Sequence, residues 1–328
     1  MRVVPLESWE AWPGGPRNWD RLLRGSAVNV PFLTWQWQTL WWQHFGDAGA
    51  LRLFMAEDGT GEPAGALPMM WVAERTLHFV GGVDISDYLD LLALRGREEE
   101  VWKACLAALA ETEWAALDFH CVPSASPTLS VLPVLAGAQG FRVRVEREAR
   151  CPLLDLPNDW KTYLAGLDGK ARHELRRKLR RCERSYPDAR ARLVPEAELE
   201  AALDAFFVLH RKSSEGKARF MDTRMEAFFR IAAAAFAREG WLRLWILEAP
   251  RPLAAILCFD YGETVSLYNS GFDPEARAAS PGIVLIAHAI QDAIQRGRRR
   301  FDFLRGEEAY KYDFGAKPSD VLRLVIER

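Results

Sequence analysis

One succession of residues occurs twice in this chain. Leu51-Arg52-Leu53-Phe54-Met55-Ala56-Glu57, a turn, and Pro63-Ala64-Gly65-Ala66-Leu67 are answered by Leu242-Arg243-Leu244-Trp245-Ile246-Leu247-Glu248 and Pro252-Leu253-Ala254-Ala255-Ile256. Apolar runs of this length, bounded by Gly, Pro and Asp, read as two strands joined by a hairpin. Further on, a helical pattern over Glu98–Thr112 leads into Leu117-Asp118-Phe119, and a second over Gly282–Arg296 leads into Phe301-Asp302-Phe303. Four elements repeated in the same order point to a duplicated unit. The fold class expected is α/β (α+β): two tandem domains, 1–150 and 151–328, each a mixed sheet flanked by helices. A length of 328 residues suits two cores better than one.

The remaining elements fit that frame. Thr34 suits the N-cap of a helix over Trp35–Phe45, whose indoles read as packing residues. Thr76–Val80 and Asp87–Leu94 read as strands. In the second half helices are expected near Lys170–Ser185, Glu196–Ser213 and Arg224–Arg238, with a mobile polar loop after His210. Strands follow at Trp241–Glu248, Leu253–Tyr261, Thr264–Gly271, Arg300–Leu304 and Val321–Glu327, the last closing the second domain. A formal charge of -2 gives no global pull toward nucleic acid or an anionic bilayer, so any basic site is local. Five scattered cysteines have neither disulfide nor metal-ligand spacing, and no metal site is expected. With no signal peptide at the start and no apolar run long enough for a membrane span, the expected location is cytoplasmic.

The candidate chemistry lies in the second half. Tyr268-Asn269-Ser270-Gly271-Phe272 ends a strand, and Ser280-Pro281-Gly282-Ile283 opens a helix. Ser280 reads as N-cap and Pro281 as first helical residue, while Gly282 leaves the backbone amides uncovered. Free amides and the positive helix end make a place for a pyrophosphate; the plainer reading is a good helix start. The matching helix of the first half begins Arg97-Glu98-Glu99-Glu100, and those carboxylates repel phosphate. Asp302 alternates with Phe301 and Phe303 and sits near Arg305 at a strand end. It is either a base or a partner that holds Arg305 or Lys311, both candidate substrate-binding residues, with Glu307 and Glu308 as alternative bases. His210 ends a helix, as a dipole-compensating cap or as a group that meets the acceptor. The run Lys170–Arg184 is either a solvated face or an anion-binding surface, and in the second case Arg172 is a candidate substrate-binding residue.

On Leu209-His210, Ser270-Gly271-Phe272-Asp273-Pro274, Ser280-Pro281-Gly282 and the block Phe301–Lys311, the C-terminal half resembles the CelD/BcsL-type acetyltransferase family. That family is a branch of the GNAT superfamily related to Fem-type peptidyltransferases. Weaker agreement in Pro31–Trp35 and Trp41-Trp42 extends the resemblance over most of the chain. It implies two tandem GNAT-like domains, the first without donor binding, and an acyl thioester such as acetyl-CoA or another acyl-CoA as donor. It further implies that backbone amides around Asn269 and Ser270 face the thioester carbonyl, that Tyr310 protonates the departing thiolate, and that His210 is the histidine of the family pattern. The chain departs from the superfamily's glycine-rich pyrophosphate loop, which leaves the kind of thioester open. The expected function is N-acyl transfer to an amine, such as an amino sugar or lipid precursor of envelope or exopolysaccharide synthesis. Two others stand beside it: a Fem-like transferase that uses aminoacyl-tRNA, with the basic helix on the RNA, and a non-catalytic GNAT-like binding module.

Overall fold

Both hairpins form, and each belongs to its own sheet. The structure, a computed structural model, describes residues 1–47, 50–72 and 75–328. Contacts divide the chain into two units, Met1–Arg150 with Ser319–Arg328, and Cys151–Pro318. The first unit runs β1 (Arg2–Leu6), α1 (Gly15–Gly25), α2 (Trp35–Phe45), β2 (Leu51–Glu57), β3 (Pro63–Val72), β4 (Thr76–Phe79), β5 (Leu92–Ala93), α3 (Glu98–Ala110), β6 (Ala116–Pro123), α4 (Thr128–Ala138) and β7 (Arg142–Arg150). The second runs β8 (Leu153–Asp155), α5 (Trp160–Gly166), α6 (Gly169–Ser185), β9 (Arg190–Leu193), α7 (Leu199–Ser213), α8 (Glu215–Phe220), α9 (Thr223–Arg238), β10 (Leu242–Glu248), β11 (Pro252–Tyr261), β12 (Thr264–Phe272), α10 (Pro281–Gln295), β13 (Arg300–Asp302) and α11 (Ala309–Asp313). The last strand, β14 (Asp320–Glu327), returns to the first unit.

The two sheets share one plan. In the first, β2, β3 and β4 form an antiparallel meander, α3 crosses over, and β6 returns parallel to β4 with Thr76 opposite Ala116. In the second, β10, β11 and β12 form the meander, α10 crosses over, and β13 returns parallel to β12 with Thr264 opposite Arg300. The parallel return is what a strand–helix–strand crossover requires. The duplication read from sequence is therefore a duplication of topology.

Side-chain alternation sets the cores. Leu244 and Ile246 on β10, with Leu257 and Phe259 on β11, are all buried. Of the indoles read as packing residues, Trp37 and Trp41 are buried, and Trp35 meets Trp9 and Trp19 edge to face with ring centroids 5.7 and 5.8 Å apart. Thr34 caps α2 as expected, its Oγ1 accepting from the Trp37 N–H.

Two expectations are corrected. The strand Val321–Glu327, assigned from sequence to a second domain ending at 328, lies between β6 and β7 of the first sheet, with Leu324 opposite both Phe119 and Val145. A strand's own pattern declares that it must pair and bury one face; it does not name the sheet. The extended stretch Asp87–Leu94 is a strand only at Leu92–Ala93. Its earlier part is a buried loop pinned by side chains: Asp90 accepts from the hydroxyls of Ser126 and Thr128, and the Leu89 N–H donates to the Cys121 carbonyl at 2.9 Å.

Candidate active site

β12 and β13 part company after Ser266. They pair only from Thr264–Arg300 to Ser266–Asp302, whereas β12 runs on to Phe272 against β11. A register shift in the β11 pairing leaves Tyr268 between Asn269 and Leu267 as an extra residue, and its ring stacks on Phe229 and Phe259. Bulges of this kind bend a strand and end pairing. Beyond it the backbone groups of the free edge are met by side chains. The Ser270 N–H donates to Asn269 Oδ1 at 3.0 Å, and the Phe272 N–H to Ser213 Oγ at 2.9 Å. Lys217 Nζ donates to the Ser270 carbonyl, and to its hydroxyl at 3.3 Å. Helix α7 is held close to this strand: a Cβ on Gly271 would lie 2.3 Å from the His210 backbone nitrogen. Only glycine allows that approach.

The opening between the strands is a cleft of about 300 Å³, whose lining includes Lys217, Ser270, Arg277, Gly282, Glu308 and Tyr310. Helix α10 points its N-terminus into it. Ser280 does not cap that helix, which corrects the sequence expectation. Its backbone is left-handed at φ 56°, whereas an N-cap side chain reaches back over the amides from extended backbone. Its hydroxyl instead accepts from Arg181 Nη2 at 2.7 Å. Pro281, Gly282 and Ile283 thus begin a helix with no side-chain cap, and a Cβ on Gly282 would meet nothing within 4 Å. Arg277 and Lys217 line the cleft with the helix end, and Arg181 stands at its first turn; Glu308 is the cleft's carboxylate. Amides, helix dipole and cations together favour an anionic ligand.

The other sequence-predicted residues divide between the cleft and its supports. Ser270, Ser280, Pro281, Gly282, Ile283, Glu308 and Tyr310 all line it. Asn269 stands behind it, holding the Ser270 amide. Asp302 is buried and accepts from the Leu304 N–H at 2.8 Å, fixing the turn where Leu304 takes a φ of 52°. Lys311, expected at the substrate, is 3% exposed and spends its ammonium on the Leu304, Arg305 and Gly306 carbonyls and on Glu308. The three carbonyls match its three N–H donors, Glu308 balances its charge, and together they make it the clamp of that turn. Arg305 enters the same turn through its carbonyl. Arg172, also expected at the substrate, donates to the Leu164, Ala165 and Leu167 carbonyls and so closes the end of α5. Both long cations were legible as charges, but only the tertiary structure shows backbone carbonyls within their reach.

Burial tunes three groups here. The Tyr310 phenol is held above its usual range by burial and by Glu308, so it keeps its proton through neutral pH. Lys217 is brought down to about 8, first by desolvation and also by Lys311, with Glu308 opposing. His210 is brought down to about 4 by burial and by Lys217. A neutral imidazole adds no charge to the helix end, so the dipole-compensating role is not the one it plays. Its Nδ1 has no partner among the described residues. Sequence reading missed Lys217, Arg181 and Arg277. Arg181 was visible only as one charge in a basic run. The expected mobile loop that holds Lys217 is instead the short helix α8, capped by Ser214.

Known proteins are similar to this chain in fold. The acetyltransferase (GNAT) domain model matches residues 169–312, which lie wholly in the second unit. No curated protein matches the chain. Among solved structures, a crystal structure of FemX is similar with a TM-score of 0.67 and 11% identity, covering 99% of this chain and 97% of that one. The C-terminal domain of a putative lysylphosphatidylglycerol synthetase from Agrobacterium fabrum follows at 0.60 and 11%, covering 95% and 91%. A tandem GNAT protein from the clavulanic acid biosynthesis pathway gives 0.50 and 13%, covering 98% and 97%. Identities this low speak to fold alone. The chain is a tandem of GNAT-like α/β folds, and the match to the acetyltransferase (GNAT) domain model falls in its C-terminal unit. Among the described residues no helix is long and apolar enough to cross a membrane.

Proposed function

We propose that this chain is an N-acyltransferase of the CelD/BcsL kind, which moves an acyl group from an acyl-CoA to an amine on an amino sugar or lipid precursor of envelope or exopolysaccharide synthesis. The observation that carries the reading is the start of α10: a helix end without a side-chain cap, opening into a cleft beside Arg277 and Lys217, with Arg181 at its first turn. A pyrophosphate on those amides leaves the thioester arm to run along the free edge of β12.

The chemistry then follows from the lining. The amine needs to lose a proton, and Glu308 is the cleft's carboxylate. Attack on the thioester carbonyl puts negative charge on its oxygen, and Lys217, held on Ser270, supplies the nearby cation. The Ser270 and Phe272 amides are already bonded to Asn269 and Ser213, so they serve the carbonyl only by giving up those partners. When the carbon–sulfur bond breaks, the thiolate takes a proton from Tyr310, whose raised pKa keeps that proton available. A second donor, aminoacyl-tRNA, is favoured by one feature: Arg176, Arg180 and Arg184 stand exposed along α6.

Calorimetric and thermal-shift titration with acetyl-CoA, longer acyl-CoAs and free coenzyme A tests the proposal, with the Gly282→Glu variant alongside. Saturable stabilisation of the wild type, lost at least 100-fold in the variant, is expected; the open space at Gly282 lets that variant fold. Silence toward every thioester together with steeply salt-dependent tRNA binding replaces the donor by aminoacyl-tRNA. Silence toward both leaves a binding module.

A further inference from the structure

The face of the first sheet opposite its aromatic core carries a cluster of histidine and carboxylate side chains. Phe79 on β4 and Phe119 on β6 stack at 4.1 Å and are buried, which turns their neighbours His78, Asp118 and His120 to the other face. His120 Nε2 lies 3.3 Å from Asp118 Oδ1, and His78 Nε2 lies 3.6 Å from Asp118 Oδ2. The three ligand atoms that these residues offer all lie within 4.8 Å of one another. Four ligands around zinc at bonds of about 2.0–2.1 Å stand about 3.3 Å apart, close to the two His–Asp separations of 3.3 and 3.6 Å.

The surroundings hold these ligands in place. Cys121 is the extra residue of a bulge, with φ 63°, where β6 pairs irregularly with β14. The freed Cys121 N–H donates to Glu148 Oε2 at 2.8 Å, and the other oxygen of that carboxylate meets His120 Nδ1 at 2.6 Å. A carboxylate on Nδ1 fixes the ring and leaves Nε2 for a metal, the usual outer partner of a ligating histidine. Arg323 grips both oxygens of Asp118 at 2.7 Å and also reaches Glu146, so one guanidinium answers two carboxylates. The cluster escapes sequence reading because only Asp118 and His120 are near neighbours, two apart on one strand, while His78 comes from another.

We propose that His78, Asp118 and His120 form a three-ligand site for a divalent transition metal of the zinc type, its fourth position open to water or to an oxygen or nitrogen of a ligand. The test uses the full chain, stripped with a chelator and titrated with Co²⁺ and then Zn²⁺. One equivalent of Co²⁺ is expected to give a tetrahedral d–d spectrum without a thiolate charge-transfer band, and Zn²⁺ to bleach it. His78→Gln and His120→Gln each weaken binding at least ~100-fold, and Glu148→Gln about 10- to 100-fold. Circular dichroism checks that the variants fold, and the wild-type spectrum decides even where one does not. No spectrum at millimolar Co²⁺, a thiolate band, or unchanged affinity in both histidine variants overturns the site. The cluster would then be an ion network, with His120 a protonated bridge between Asp118 and Glu148.

Discussion

The same opening exists in both units, and only one of them leaves it free. In the first sheet β4 and β6 pair over Thr76–Leu77 alone and then diverge, as β12 and β13 do after Ser266. There the chain fills its own gap. Ser86 Oγ donates to the Gly81 carbonyl just past β4, and Leu89, bonded to Cys121 on β6, packs where a Cβ on Gly81 would stand. The crossover helices differ in the same sense. α3 begins with Glu98, Glu99 and Glu100, of which Glu100 is paired with Arg97, whereas α10 has no acidic residue in its first turn. One topology thus gives a filled gap and an open cleft. The difference lies in the loop between third strand and crossover helix, and in the charge at that helix's start.

Several substitutions would break or sharpen this contrast. The largest effect is expected from Gly271→Val, which drives a side chain into the backbone of α7. Destabilisation of about 3 kcal/mol or more, with loss of the cleft, should appear in urea denaturation of the variant. Lys217→Ala should lower kcat by about 100-fold with donor affinity changed less, as expected for a charge that counts most in the transition state. Because the ammonium is the useful form and its pKa sits at about 8, wild-type activity should fall as pH rises through 8. Lys217→Arg should move that limb upward in a pH–rate profile.

The plug of the first unit gives a stability test. Burial raises the Asp90 carboxyl to about 6 against its bonds from Ser126 and Thr128. Between pH 4 and 6 the folded protein then holds this proton more tightly than the unfolded chain. The group's contribution is most favourable below about 4 and declines as pH rises to 6. Asp90→Asn should remove that slope, changing the wild-type-minus-variant stability across the window by about 2–3 kcal/mol. Chemical denaturation of both proteins at pH 4.5 and 7 reads it. The smallest effect is expected from Arg181→Ala, which should weaken coenzyme A by about 10-fold and flatten the salt dependence of binding, read by calorimetry at two ionic strengths.

Much of the fold was legible because it rests on local chemistry. Period-two and helical patterns marked both hairpins, both crossover helices and the strands that return after them. The open start of α10 was visible in Pro281-Gly282 and in the lack of acid around it. The roles of long side chains were not legible. Lys311 and Arg172 read as substrate cations and turn out to hold carbonyls, while Lys217 and Arg181 read as background and reach the cleft. A flexible cation has many partners within its length, and the backbone's path decides among them.

By itself the sequence determined that the chain is a doubled α/β fold and that only the second crossover helix starts without acidic residues, since strand periodicity, helix starts and charge are properties of neighbouring residues. Only the tertiary structure decided that β14 joins the first sheet, that the 80s loop plugs one gap while the other stays open, and that His78 meets Asp118 and His120. Each of these is a meeting of residues distant in the chain. Pairing and close packing settle such meetings among the whole set of elements at once, and no local pattern encodes the choice.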